Sequence, residues 1–213
     1  MWRPILVIII IFAALYGGYY FMNKPEITEI DDTPINPDKE PYQSYVTRPF
    51  AKPFQKGNLN LSLSPQANYS ISARLLSKRR YVRGWEAKLS EWDFVLGWGE
   101  ASKLDKIENL KIRQSVRWYS FKISADVPMP GPYISTHTSN HHIIPNSENV
   151  RRALLFLKKF DVVQLKGYLV NVHGKDNDKQ VNWITSKTRK DTGDGACEIF
   201  LVESVKIGEN IYK

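Results

Sequence analysis

Residues Ser139–His173 read S-N-H-H-I-I-P-N-S-E-N-V-R-R-A-L-L-F-L-K-K-F-D-V-V-Q-L-K-G-Y-L-V-N-V-H, and they hold the one clear amphipathic helix and the longest apolar strand of the chain. Pro145 closes a loop carrying His141 and His142. Ser147 then offers a helix N-cap, and Glu148 meets the positive end of the helix dipole. Val150, Ala153, Leu154 and Leu157 recur on one helical face, while Arg151, Arg152, Lys158 and Lys159 lie elsewhere. From Val162 to Val172 the apolar content rises to that of a central strand, and Gly167 in its middle marks a bulge or a close backbone approach.

Upstream, Leu59, Leu61 and Leu63 alternate with polar residues, as do Tyr69, Ile71, Ala73 and Leu75. The turn-prone run Ser64–Asn68 between them predicts a hairpin. Ser90 followed by Asp93 resembles a capping box, so a short helix is expected up to Gly97, with Trp85, Trp92, Phe94 and Trp98 packed on the sheet. Residues 110–124 read as one long strand whose apolar phase slips, as a bulge would make it. The proline-rich run 127–132 breaks the chain, and a short strand is expected over 133–138. Downstream, a turn over 174–180 separates strands at 181–186 and 197–207. The sum is a β-rich α+β domain over residues 57–213, antiparallel or barrel-like, with one main helix.

The N-terminal part is of another kind. Residues 1–22 predict a transmembrane anchor, apolar and uncharged from Ile5 to Phe21 with aromatics at both ends. A cleaved signal peptide would end in small residues, whereas Gly17-Gly18 is followed by Tyr19-Tyr20-Phe21. Residues 23–56 carry six prolines and are read as a semi-rigid linker holding the domain off the bilayer. Arg3 and the amino terminus precede the span and Lys24 follows it among acidic residues, which count for little; the positive charge before the span favours an extracytoplasmic domain on a single-pass protein of the bacterial inner membrane.

The net charge of +8 sits in the domain, because residues 1–56 hold six charges of each sign. It favours anionic partners without choosing among them. Arg79, Arg80, Arg83 and Arg117 are the candidate binding residues. Cys197 is the single cysteine, so no intrachain disulfide exists. Its chemistry with a base, His142, and an orienting amide, Asn140, is that of a cysteine nucleophile, and these three are the catalytic candidates. The competing reading is plain: a cysteine opening an apolar strand packs, and loop histidines hold backbone.

His137 and His141 have the i, i+4 spacing of metal ligands, but their surroundings are turn-prone, and no metal or other cofactor is expected. Asp191-Thr192-Gly193 spells the aspartic-protease triplet without the apolar strand that precedes it in those enzymes. Asp191, Asp194 and Glu198 lack the ligand spacing of a calcium loop. The run D-V-V-Q-L-K-G-Y-L-V has the character of a small barrel of the OB type.

At W-x-F-V-L-G-W-G, R-Q-S-V-R-W-Y, S-N-H-H-I-I-P, D-V-V-Q-L-K-G-Y-L-V and D-T-G-D-G-A-C-E the chain resembles an uncharacterised family of bacterial membrane-anchored proteins. The resemblance covers about residues 57–205 and implies no activity. It matches motif positions at Gly97, Trp98, Arg117, Trp118, Asn140, His142, Pro145, Gly167, Arg189, Asp191 and Cys197.

The function expected is a membrane-tethered binding or assembly module for an envelope protein or an anionic surface, held by residues 5–21, rather than an enzyme. A Cys/His-dependent hydrolase or transferase is the alternative. A nucleic-acid-binding barrel is a further one, disfavoured outside the cytoplasm. Oligomeric state is not legible in the sequence.

Overall fold

A computed structural model describes residues 3–188 and 196–213. The first element is a helix, α1 (Arg3–Asn23), long and apolar enough between Ile5 and Asn23 to cross a membrane, with none of that stretch buried in the protein. Short strands β1 (Glu29–Ile30), β2 (Tyr42–Ser44) and β3 (Lys52–Lys56) lead into β4 (Leu59–Arg80). Then come α2 (Trp85–Leu89), β5 (Trp92–Gly97), a 3-10 turn, α3 (Leu104–Ile107), β6 (Lys111–Ser115) and β7 (Trp118–Lys122). The chain ends with α4 (Gly131–His137), β8 (Thr138–Pro145), α5 (Glu148–Phe156), β9 (Val162–Asp176), β10 (Lys179–Trp183), β11 (Glu198–Ile207) and β12 (Asn210–Tyr212).

Five strands close on themselves. β4 pairs with β5, β5 with β8, β8 with β11, β11 with β9, and β9 with β4. Every pairing is antiparallel except β8 with β11. With α5 inserted between the third and fourth barrel strands, this is the five-stranded order of an OB-type barrel. Tyr69, Ile71, Trp92, Phe94, Ile143, Leu165, Leu169, Phe200 and Val202 fill it, and α5 adds Val150, Ala153, Leu154 and Leu157. The Ser147 hydroxyl caps α5 by accepting from the Val150 amide at 3.1 Å, as its sequence predicts. At the other end of α5, the Lys78 ammonium donates to the carbonyls of Leu154, Leu155 and Leu157. Burial against this helix lowers its pKa to about 8.

Several local expectations change. Leu59–Arg80 is one strand, not a hairpin, with a bulge between Pro65 and Ala67. The extra residue moves odd-numbered side chains from an outer apolar layer (Leu59, Leu61, Leu63) into the barrel (Ala67, Tyr69, Ile71), so the alternation never breaks. Residues 92–97 form a fully buried strand, and Ser90 ends α2 instead of starting a helix. A short apolar run fits either state, and sheet pairing on both sides decided it. Residues 110–124 fold as the β6–β7 hairpin, its phase slip being the turn Val116-Arg117. Residues 133–137 are helical, and the expected histidine loop is the central strand β8, buried from Thr138 to Ile144. Gly167 is a close approach: a Cβ there would lie 2.0 Å from the Leu201 carbonyl oxygen.

Residues 24–56, expected to stand off, run along the barrel instead. β1 pairs with β12, and β2 and β3 share one edge of β4 with β5. Gly99 N–H donates to Pro37 O at 2.8 Å, and Trp98 Nε1 to Glu40 at 3.1 Å. Lys206, buried on β11, binds Asp31 at 2.7 Å. The prolines fall between or at the edges of these strands, where no ladder N–H is needed. The segment is a strap.

Candidate functional site

In the β8–β11 pair Ile199 lies opposite His142 and Glu198 opposite His141; in the β5–β8 pair Asp93 lies opposite His142 and Val95 opposite Asn140. Side chains alternate along strands, so Asp93, Asn140 and His142 share the outer barrel face while Phe94, His141 and Phe200 point inward. Cys197 joins the outer set: Asn140 Nδ2 lies 3.6 Å from its Sγ. The three catalytic candidates are therefore neighbours. The structure adds Asp93, a charged residue inside the apolar run W-D-F-V-L-G, and that context was the signal in the sequence.

Asp93 is completely buried, and its Oδ1 accepts from His142 Nδ1 at 2.9 Å and from Arg117 Nη1 at 2.7 Å. A carboxylate only accepts, so Nδ1 carries a proton, and in the neutral tautomer this pairing selects, Nε2 is the basic nitrogen. Asp93 Oδ2 has no hydrogen-bond partner among the described residues. Leaving a buried carboxylate oxygen unmatched costs about 1–3 kcal/mol, and such groups persist where a site uses them.

The β6–β7 hairpin delivers Arg117. Val116 and Arg117 both have positive φ, 49° and 67°, a conformation that two-residue hairpins normally fill with Asn or Gly. The strain is held in place from several sides. Tyr81 Oη accepts from the Arg117 amide at 3.1 Å, and Asn140 Nδ2 donates to the Arg117 carbonyl at 3.1 Å. The guanidinium donates to Ser90 O at 2.9 Å and stacks 4.1 Å from the Tyr81 ring. Burial pushes the Tyr81 phenol up. Gln114, also buried, ties the hairpin to Asp93 O at 3.2 Å and to Asn140 Oδ1 at 3.0 Å. Its role, like that of Tyr81, has no signature in the sequence because it depends on the hairpin folding back.

Trp183 packs 4.6 Å from the His142 ring and edge-on to Trp85 at 5.8 Å. Together Arg117, Trp118, His142, Asn182, Trp183, Ile184 and Cys197 surround a cavity of about 240 Å³. Its walls come from the outer face of the third barrel strand, the hairpin that precedes it and the connection between the fourth and fifth; Asp93 on the second strand and the first connection (Tyr81, Ser90) support it from behind. This is the face on which barrels of this order hold ligands.

The remaining candidates lie apart. Arg79 Nη1 donates to Gln114 O at 2.5 Å, Arg80 pairs with Glu91 at 2.5 Å, and Arg83 is exposed in the loop after β4. His137 stacks on Tyr133 at 3.8 Å, while His141 meets Tyr69 Oη at 3.1 Å inside the barrel. His173 is exposed on β9. Among the described residues no group of three or more His, Cys, Asp or Glu side chains is placed to hold a metal ion. Glu198 faces the barrel interior and accepts from Ser139 Oγ at 2.6 Å. Arg189, Asp191 and Asp194, with the Asp-Thr-Gly triplet, lie outside the described residues. No family model matches the chain, and no curated protein or solved structure is significantly similar to it.

Proposed function

We propose that this chain is a membrane-tethered binding module of the bacterial envelope, with its ligand seated on the outer face of β5 and β8. One observation carries the reading: a strained hairpin turn is fixed by Tyr81, Ser90, Asp93 and Asn140 so that Arg117 and Trp118 enter a cavity already walled by Trp183 and His142. Strain concentrated at a ligand-sized concavity is a feature of sites, not of structural filler. Arg117, with Arg79 bound to the same hairpin through the Gln114 carbonyl, gives that face a preference for anionic groups, whether on a protein or on a charged surface. The anchor is α1, with the barrel on the extracytoplasmic side.

The test is a fluorescence titration of the full chain in lipid nanodiscs, read through the tryptophans of the cavity. The probes are an acidic peptide, an acidic polysaccharide, phosphatidylglycerol vesicles and a single-stranded oligonucleotide, because barrels of this order bind nucleic acid as well. A saturable change with the peptide, polysaccharide or vesicles, lost in Arg117→Gln while circular dichroism shows the barrel still folded, supports the proposal. Response to the oligonucleotide alone, or binding indifferent to Arg117→Gln, overturns it. A reporter fused after Lys213 checks the side of the membrane independently.

A further inference from the structure

We propose that the cavity is also a reactive thiol site, in which Cys197 attacks a carboxylic ester presented by the bound ligand. The inference rests on the ligand face proposed above and adds chemistry to it.

The geometry supplies the nucleophile, the base and the group that orients the base. Cys197 and His142 line one cavity, and Cys197 is only partly buried. Cys197 lies beside Asn140, and His142 is the next side chain on that face, one pleat repeat of about 6.5 Å along β8. Asp93 holds His142 by Nδ1 and so fixes its tautomer, which leaves Nε2 to take a proton. Arg117 compensates the buried Asp93 charge. Asn140 Nδ2 donates to Sγ at 3.6 Å and to the Arg117 carbonyl at 3.1 Å, and Sγ lies 3.8 Å from that same carbonyl, so the amide holds the thiol in position at the cavity wall. Trp183 and Ile184 give the cavity an apolar wall for the acyl chain.

In the first step the Sγ–C bond forms as the thiol proton passes through one bridging water to His142 Nε2. The tetrahedral adduct then expels the alcohol, which leaves with the proton from Nε2 as the C–O bond breaks. Water attacks the resulting thioester, giving its proton to Nε2; the C–S bond breaks and sulfur recovers the proton. The acid is released, and nothing is oxidised or reduced. His142 and Cys197 are the catalytic residues, while Asp93 is a positioning residue.

The experiment uses the full chain in nanodiscs with p-nitrophenyl acetate and p-nitrophenyl butyrate, read by nitrophenolate release and by mapping the acylated residue. The expected result is a thioester at Cys197 that turns over. Acylation should fall about 10²-fold or more in His142→Gln and vanish in Cys197→Ser. Asp93→Asn should move the pH–rate profile as well as lower the rate, which a merely structural role would not do. Because Asp93→Asn and His142→Gln can unfold the protein, iodoacetamide alkylation of Cys197 in the wild type is measured in parallel against a cysteine peptide. Alkylation faster than the peptide below the peptide thiol's pKa supports activation. Alkylation no faster than the peptide, with no acyl adduct, overturns the thiol site. Ligand titration of Cys197→Ser separates the two proposals: binding that survives while acylation fails removes only the chemistry.

Discussion

Gly167 shows what a single residue decides in this barrel. There β9 is paired on both edges at once, with Tyr69 on β4 and with Val202 on β11. β11 bulges at Glu203 opposite this point, and the two backbones come so close that any side chain would strike the Leu201 carbonyl. Gly167→Ala should therefore open the β9–β11 seam and destabilise the protein by about 3 kcal/mol or more, in the range of backbone-level strain. Urea melts of the two proteins would test this, and a midpoint within error of the wild type would refute the seam. The sequence announced this residue, since a glycine inside a strongly apolar strand has few other reasons to exist. It did not announce Asp93, Gln114 or Tyr81 as site residues. Their partners are 21 to 49 positions away in sequence, on an insertion whose fold was misread.

At the scale of elements, the readings that held are a capped amphipathic helix and two long apolar runs. α5 kept its cap and its buried face, and β9 and β11 kept their positions to within a few residues. Apart from β4, whose unbroken alternation hides its bulge, the elements that differ from expectation are short and bounded by residues that suit two states. Trp92–Gly97 could pass for a helix, Val116-Arg117 for a bulge and Tyr133–Thr138 for a strand, until neighbouring strands chose for them. The hairpin turn also yields a prediction. Val116 is 79% exposed, so its side chain packs on little, and its positive φ is a cost without a matching contact. Val116→Asn should stabilise the protein by about 0.5–1 kcal/mol, since Asn enters this region readily. Thermal melts measure the gain. A loss of stability instead would mean that Val116 holds the turn by packing.

The whole molecule is a barrel wrapped by its own N-terminal strap, and the strap carries a pH signature. Lys206, buried on β11, holds the Asp31 carboxyl well below the usual carboxylate range through a direct hydrogen bond. A carboxyl depressed in the folded state stabilises that state above the ordinary range, about pH 4, and the contribution is lost as pH falls toward the folded value. Melting temperatures of the wild type should thus drop between about pH 5 and pH 2 by more than those of Lys206→Met, and parallel curves would show that the pair does not fasten the strap. Density of prolines misled the reading of this segment. It reports that a stretch cannot form a central strand, and says nothing about whether it lies on one.

The strap also fixes how far the site can travel. Thr28 and Asp31 are hydrogen-bonded to the barrel only a few residues after α1 ends, and Tyr20 of α1 touches Phe156 of α5 at 5.3 Å. Inserted in a bilayer, the barrel has almost no slack. Its search is then nearly two-dimensional: a ligand carried in the same membrane meets the cavity at a high effective concentration, and one anchored a few tens of ångströms away never does. Affinity measured with a soluble probe would understate what the tethered protein achieves against a partner in its own bilayer.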